Sequence, residues 1–507
     1  MQRPTQSQAS PRFLLAAALT FLTLVAPVLA GDLDGVIERI IGHTNLQGGS
    51  AAVYISDLDT GKEIAAYNAD TPMIPASNMK ILTTGAASMI LGDQFVFRTE
   101  IMIDRSMTPP TLIIKGSGDP ALGDPDLFND DQNGLSLASL FDQVADALKA
   151  KGITKLGEVV ADDRIFDRAY THPNWPIDQL NRWYCAEVGG INIHTNIINV
   201  YPIPGSPGSA PRAVLSPEAP WFDFQINAKT VTKGQDTAWI ARPRPANVFT
   251  LRGNVRYKTE KDVAIHNPPM FAAALFANAL SERGIIIADE ETLPETHARL
   301  VGEAEMSANS KTIAVITTPL VDILRRTNTN SHNLYAEALL KRLGHELTSD
   351  PGSWANGSSV LRMMISEKIG ALAAQSTIID DGSGMSRVNR VTPKTLVQWM
   401  GAVALTDAWE MFEDSLATPG TGTLTKRFRS TELSSELHAK SGYLNNTYTL
   451  TGVLIHPKSK QRVAFSILLN DIPSGAASRN AKPLHEEIVD AVDDWLDTKA
   501  GVSSFGG

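Results

Sequence analysis

Ser77 and Lys80 stand three residues apart in MIPASNMKILTTGAA, residues 73–87, and the apolar run continues through Met89, Ile90 and Leu91. On a helix this spacing puts both side chains on one face. A serine hydroxyl is a poor nucleophile until a base takes its proton. A lysine is such a base once desolvation or a nearby cation lowers its pKa. A lysine on an apolar face must be paired or neutral, because burying an unpaired charge is costly; otherwise Lys80 simply points at water. Ser-x-x-Lys occurs once in the chain.

Two other groups have types and spacing suited to the same chemistry. Lys440-Ser441-Gly442 lies in HAKSGYLNNTYTLTGV, at the start of a predicted strand. A lysine there holds a substrate carboxylate, and a serine hydroxyl can bond the same group. Gly442 lets a substrate backbone come close. In isolation the tripeptide also reads as a hairpin turn. Ser331-His332-Asn333 immediately precedes the amphipathic stretch LYAEALLKRLGHEL, residues 334–347. Ser-x-Asn recurs at Ser307 and Ser478, and the helix that follows selects Ser331, since it would hold both side chains in place. As an N-cap, Ser331 or Asn333 would serve equally well. His332 ordinarily titrates near neutrality, so a pH profile would carry its mark if it faces the site.

The elements that must position these groups follow from pattern. SAAVYISD (50–57) and GKEIAAY (61–67) read as strands around a turn at residues 58–61. YTLTGVLIHP and RVAFSILLNDIP read as a hairpin, SSVLRMMISEKIGAL (358–372) as a helix, and LHEEIVDAVDDWLDT (484–498) as a closing helix. Strands near both ends with helices between them predict one mixed sheet closed by the terminal pieces, with the middle third inserted. Within that third, DALKAKGI (146–153) echoes NALSERGI (278–285), each a helix ended by glycine and followed by a strand. Residues 202–219, rich in proline, glycine and serine, read as an exposed loop.

A chain of 507 residues exceeds one ordinary domain, and its 43% hydrophobic content is that of a globular protein. The net charge of −10 argues against nucleic acid as a partner. Cys185 is the only cysteine, which excludes an intramolecular disulfide and a cysteine-rich metal site. Residues 1–30 lack Asp, Glu and Lys, place Arg3 and Arg12 before the apolar run Phe13–Val25, and end in a small-x-small pattern. This is the layout of a secretory signal peptide, and the run is short for a membrane span. The expectation is export to a bacterial periplasm without a permanent membrane anchor.

In the order Ser77-x-x-Lys80, Ser331-x-Asn333, Lys440-Ser441-Gly442, the chain resembles the penicillin-binding proteins and serine β-lactamases. The long stretch between the first two groups resembles the low-molecular-mass class C members, the D-alanyl-D-alanine carboxypeptidase/endopeptidases. GSGDPAL (116–122), DDRIFD (162–167), DDGSGMSRVNRVTP (380–393) and PGTGTL (419–424) resemble segments of that family. Ser441 stands where most members carry threonine, and His332 where many relatives have aspartate. The resemblance implies an α/β (mixed α+β) fold: a catalytic domain of residues 31–96 and 306–507, an antiparallel sheet with helices on both faces, with residues 97–305 as an inserted accessory unit. It implies Ser77 as nucleophile, Lys80 as base with its pKa lowered by Lys440, and Ser331 as proton relay. Asn333, Lys440, Ser441 and Gly442 would bind substrate, and the backbone N–H groups of Ser77 and Tyr443 would form the oxyanion hole. The implied partners are peptidoglycan stem peptides as substrates and β-lactams as covalent inhibitors, with no cofactor and no metal. The alternatives are a β-lactamase, for which Glu-x-x-Leu-Asn and an intervening Tyr-x-Asn are lacking, and a non-catalytic wall-binding protein.

Overall fold

The computed structural model describes residues 33–130, 136–289, 291–302 and 309–503. The predicted signal peptide lies outside them. Five antiparallel strands form the terminal sheet in the order Glu436–Leu444, Thr447–Ile455, Arg462–Asn470, Ser50–Asp57, Glu63–Tyr67. Successive side chains of a strand point to opposite faces, and here both faces are apolar. Ala52, Tyr54, Ala464 and Leu468 enter one core, while Val53, Ile55, Phe465 and Ile467 enter another. Helices therefore cover both sides, as the resemblance implies. Leu33–His43 and Ala476–Ser503 lie on one face. The other carries Met79–Leu91, Leu320–Asn328, Asn333–Thr348 and Pro393–Ala404.

Strands from the middle of the chain build a second, mixed five-stranded sheet in the order Ala298–Leu300, Glu158–Asp162, Thr111–Lys115, Val96–Asp104, Ser310–Pro319. Its last strand pairs along Val96–Asp104 and lies beyond residue 305, the edge expected for the insert. The two echoing segments end the helices Leu137–Ala150 and Pro268–Glu282, which pack in one core beside this sheet. Gly152 and Gly284 follow at φ +70° and +80°, a conformation glycine adopts without steric cost. The short strands after them, Lys155–Leu156 and Ile286–Ile287, pair with each other in parallel. The echo in sequence is thus a pairing in space. Residues 202–219 depart from the expected loop. Arg212–Ser216 forms a strand antiparallel to Ile197–Ile203, because the β-formers Val214 and Leu215 find a partner strand despite the surrounding prolines.

Candidate active site

The chain enters the Ser77 region through a 3-10 turn, Ala76–Asn78, that runs into the helix Met79–Leu91. That helix is buried continuously from Met79 to Ser88, the pattern of a core helix. Lys80 lies inside it, fully buried, and does not point at water. Its ammonium donates to Ser77 Oγ at 3.1 Å, Asn333 Oδ1 at 2.7 Å and the Ser383 carbonyl at 2.9 Å. Burial lowers its pKa to about 7, against the opposing pull of Glu337 and Asp381. Of the two expected causes, burial acts on Lys80, whereas repulsion from Lys440 runs the other way round: Lys440 is held well below its usual range by burial and then by Lys80.

Ser331 sits at φ +62° just before the helix Asn333–Thr348. A non-glycine residue in that region is strained and needs its surroundings to hold it. Lys440 Nζ donates to Ser331 Oγ and to the Ser441 carbonyl, both at 2.8 Å. Asn333 Nδ2 donates to the Tyr184 carbonyl at 2.8 Å. This fixes the amide with its oxygen toward Lys80, and Tyr184 comes from the middle third of the chain.

Glu436–Leu444 is the edge strand of the terminal sheet. Ala439 spends its backbone N–H and C=O on Ala417, outside the sheet. In an antiparallel pair outward and inward residues alternate, so the N–H groups of Ser441 and Tyr443 also face outward. An extended ligand can add to such an edge as a further strand. Lys440 and Gly442 are buried on one face of the strand, whereas Ser441 is half-buried and Tyr443 exposed on the other. A Cβ added at Gly442 would stand 2.1 Å from Thr449 Oγ1 and 2.9 Å from the Ser77 backbone nitrogen. Gly442→Ala is therefore expected to push Thr449 off the Pro75 carbonyl it bonds at 2.8 Å. Acylation by penicillin should fall at least about tenfold, or ~1.4 kcal/mol in barrier, with the cooperative melt retained. A rate equal to wild type in a stopped-flow assay would refute this.

Sequence reasoning missed two carboxylates behind Lys80. Glu337, one turn after Asn333 on the same helix, accepts from the Gly382 and Ser383 N–H groups at 2.9 and 2.8 Å and from Trp354 Nε1 at 2.8 Å. Asp381 accepts from the Gly384 N–H at 2.8 Å, Asn389 Nδ2 at 2.7 Å and Trp175 Nε1 at 2.9 Å. Together they clamp the loop whose Ser383 carbonyl faces Lys80. Gly384, at φ +83°, leaves room only for hydrogen, since a Cβ there would meet the Ala76 carbonyl oxygen at 1.7 Å. Burial and Asp381 raise the Glu337 pKa to about 7. The signals available were the i,i+4 spacing from Asn333 and the DDGSGMS segment itself. Because an anionic Glu337 favours charged Lys80, Glu337→Gln should let burial lower the Lys80 pKa further. The acid limb of the acylation rate then moves to lower pH; an unmoved limb contradicts this.

His332 does not face the site. It is buried between Trp183 and Tyr335, with ring centroids at 5.4 and 4.9 Å. Burial, with Arg326 adding to it, lowers its pKa to about 3, so it stays neutral near neutrality and leaves no mark on a pH profile there. Beneath it Arg326 pairs with Asp124 at 2.8 Å, and Tyr335 donates to the same carboxylate at 2.5 Å. This buried network ties the turn bearing Ser331 to the GSGDPALGD segment.

Comparison with known proteins fits this arrangement. The D-alanyl-D-alanine carboxypeptidase of Actinomadura sp. (strain R39) is 27% identical, over 90% of this chain and 86% of its own length. The carboxypeptidase DacB of Haemophilus influenzae is 24% identical, over 86% and 88% respectively. The crystal structure of penicillin binding protein 4 (dacB) from that organism superposes with a TM-score of 0.73 at 22% identity, covering 91% of this chain and 99% of the other; the fold is shared. Residues 33–496 match the D-Ala-D-Ala carboxypeptidase 3 (S13) family from near one end of the described chain to the other, and the protein belongs to that family.

Proposed function

We propose that this chain is a penicillin-binding serine D-Ala-D-Ala carboxypeptidase, with endopeptidase action on peptide cross-links, working in the periplasm after export on residues 1–30. The observation that carries the assignment is Lys80 Nζ at 3.1 Å from Ser77 Oγ, buried and with its pKa lowered to about 7. Neutral Lys80 takes the Ser77 proton as Oγ attacks the carbonyl of the penultimate D-alanine. The Ser77 and Tyr443 N–H groups hold the developing oxyanion. The peptide C–N bond breaks, and the leaving D-alanine amine receives its proton through Ser331. Water then hydrolyses the acyl-enzyme. Asn333 orients the substrate, while Lys440 and Ser441 hold the terminal carboxylate; that anion raises the Lys440 pKa again and makes it a cation where one is needed. The inserted unit flanks the cleft and limits which wall peptides reach Ser77.

The test is mass spectrometry of the protein with penicillin and then with digested wall fragments. The expected results are a single covalent adduct on the peptide containing Ser77 and release of D-alanine from pentapeptide stems. Rapid turnover of penicillin in place of a lasting adduct would make the protein a β-lactamase. Absence of any adduct would make it non-catalytic.

A further inference from the structure

Outside the site, the strands Trp239–Ala241, Val248–Val255 and Asp223–Thr230 form a three-stranded sheet. One of its faces is closed by a small core of Ala228, Ala238, Leu251 and Val255. Alternation sends the other residues to the opposite face, where the pairing aligns Trp239 with Arg252 and Arg252 with Asn227. The next row pairs Asn254 with Lys229. All five are exposed, Trp239 by 51%. With strands about 4.8 Å apart, the first row spans roughly 10 Å. The Arg252 guanidinium carbon lies 6.0 Å from the Trp239 ring centroid. A flat indole, two amides and two cations thus share one open surface. That set suits a ring with an apolar face and polar edges: the face stacks on the indole, and the amides bond the rim.

The surroundings have a distinct charge. Residues 197–264 carry nine Lys and Arg against five Asp and Glu, and seven of the nine remain when buried Arg242 and Arg244, which pairs with Glu187, are set aside, in a chain whose net charge is −10. A local cationic excess on an acidic protein selects an anionic partner.

We propose that this face binds the glycan backbone of peptidoglycan, a strand of β-linked N-acetylated sugars whose appended peptides bear carboxylates. The idea rests on the proposed function, which makes that polymer the carrier of the substrate. A sugar ring stacks on Trp239, Asn227 and Asn254 bond the acetamido groups, and Arg252 and Lys229 meet the carboxylates. The protein is thereby held on the polymer whose peptides it cleaves, which raises the effective concentration of stem peptides at Ser77.

The experiment uses the mature full-length protein, its Trp239→Ala variant and an Asn227→Ala/Lys229→Ala double variant. Each is sedimented with insoluble peptidoglycan, with two competitors: glycan strands stripped of peptides, and free stem peptides. Phosphatidylglycerol vesicles serve as a second anionic surface. Penicillin acylation and D-alanine release from a soluble pentapeptide are read in parallel. Both variants should bind peptidoglycan at least about tenfold more weakly with acylation unchanged, and the stripped glycan should compete. Wild-type binding by both variants, no competition by glycan, or preference for vesicles would overturn the proposal. Loss of acylation and D-alanine release in the wild type would overturn the proposed function instead, and the glycan competition would still report on the sheet.

Discussion

Ser77→Ala is expected to lose all covalent labelling by penicillin while the protein still folds. The Ser77 hydroxyl is bonded only by Lys80 among the described residues, at 3.1 Å. Without it Lys80 keeps Asn333 Oδ1 and the Ser383 carbonyl, so no buried charge is stranded. Half-buried Ser77 also has little packing to lose, and the stability change should stay within roughly 1 kcal/mol. Intact-mass spectrometry of variant and wild type beside paired thermal melts reads both outcomes. A labelled peptide from elsewhere in the variant would move the nucleophile to that residue.

Lys80→Arg should lower acylation by about 10²–10⁴, the usual worth of a positioned base. Arginine remains protonated in proteins, so it can donate to Asn333 and Ser383 but cannot accept the Ser77 proton. The wild-type pH dependence follows from the same group. Burial depresses the Lys80 pKa to about 7, so the base form prevails above that pH. The acylation rate should fall as pH drops through about 7, by up to about tenfold per unit below it. In the arginine variant this limb should be absent. Activity within about threefold of wild type would mean that Lys80 is not the base.

Much of the frame was legible because both faces of the terminal sheet are apolar. SAAVYISD coincides with the observed strand Ser50–Asp57, and the expected C-terminal hairpin is present as Thr447–Ile455 with Arg462–Asn470. The groups around Ser77, Ser331 and Lys440 could be picked out by residue type, and the structure brings them together. What supports them was less legible. The Tyr184 carbonyl that orients Asn333 is backbone, which any residue type would supply. Glu337 and Asp381 are ordinary carboxylates until folding removes water from around them. Of the two causes expected for the low Lys80 pKa, desolvation is the one that acts, and its depth could not be read from residue types alone. In residues 202–219 the turn residues outnumber the strand formers, which hides the strand Arg212–Ser216 in the sequence.

The terminal sheet also sets an order of events during synthesis. Ser50 pairs with Asn470, and Asp57 with Val463. An emerging chain holds its first strand without its central neighbour until residues 462–470 arrive, roughly 20–80 s later at about 5–20 residues per second. The second sheet waits about half as long, because Val96–Asp104 gains its partner Ser310–Pro319 roughly 10–40 s later at the same rate. The middle of the molecule can therefore assemble while Ser50–Asp57, apolar on both faces, is still an open edge of the kind that recruits other chains. That edge stays unpaired until the C-terminal hairpin emerges, and Lys440 joins Lys80 only at the close of that interval.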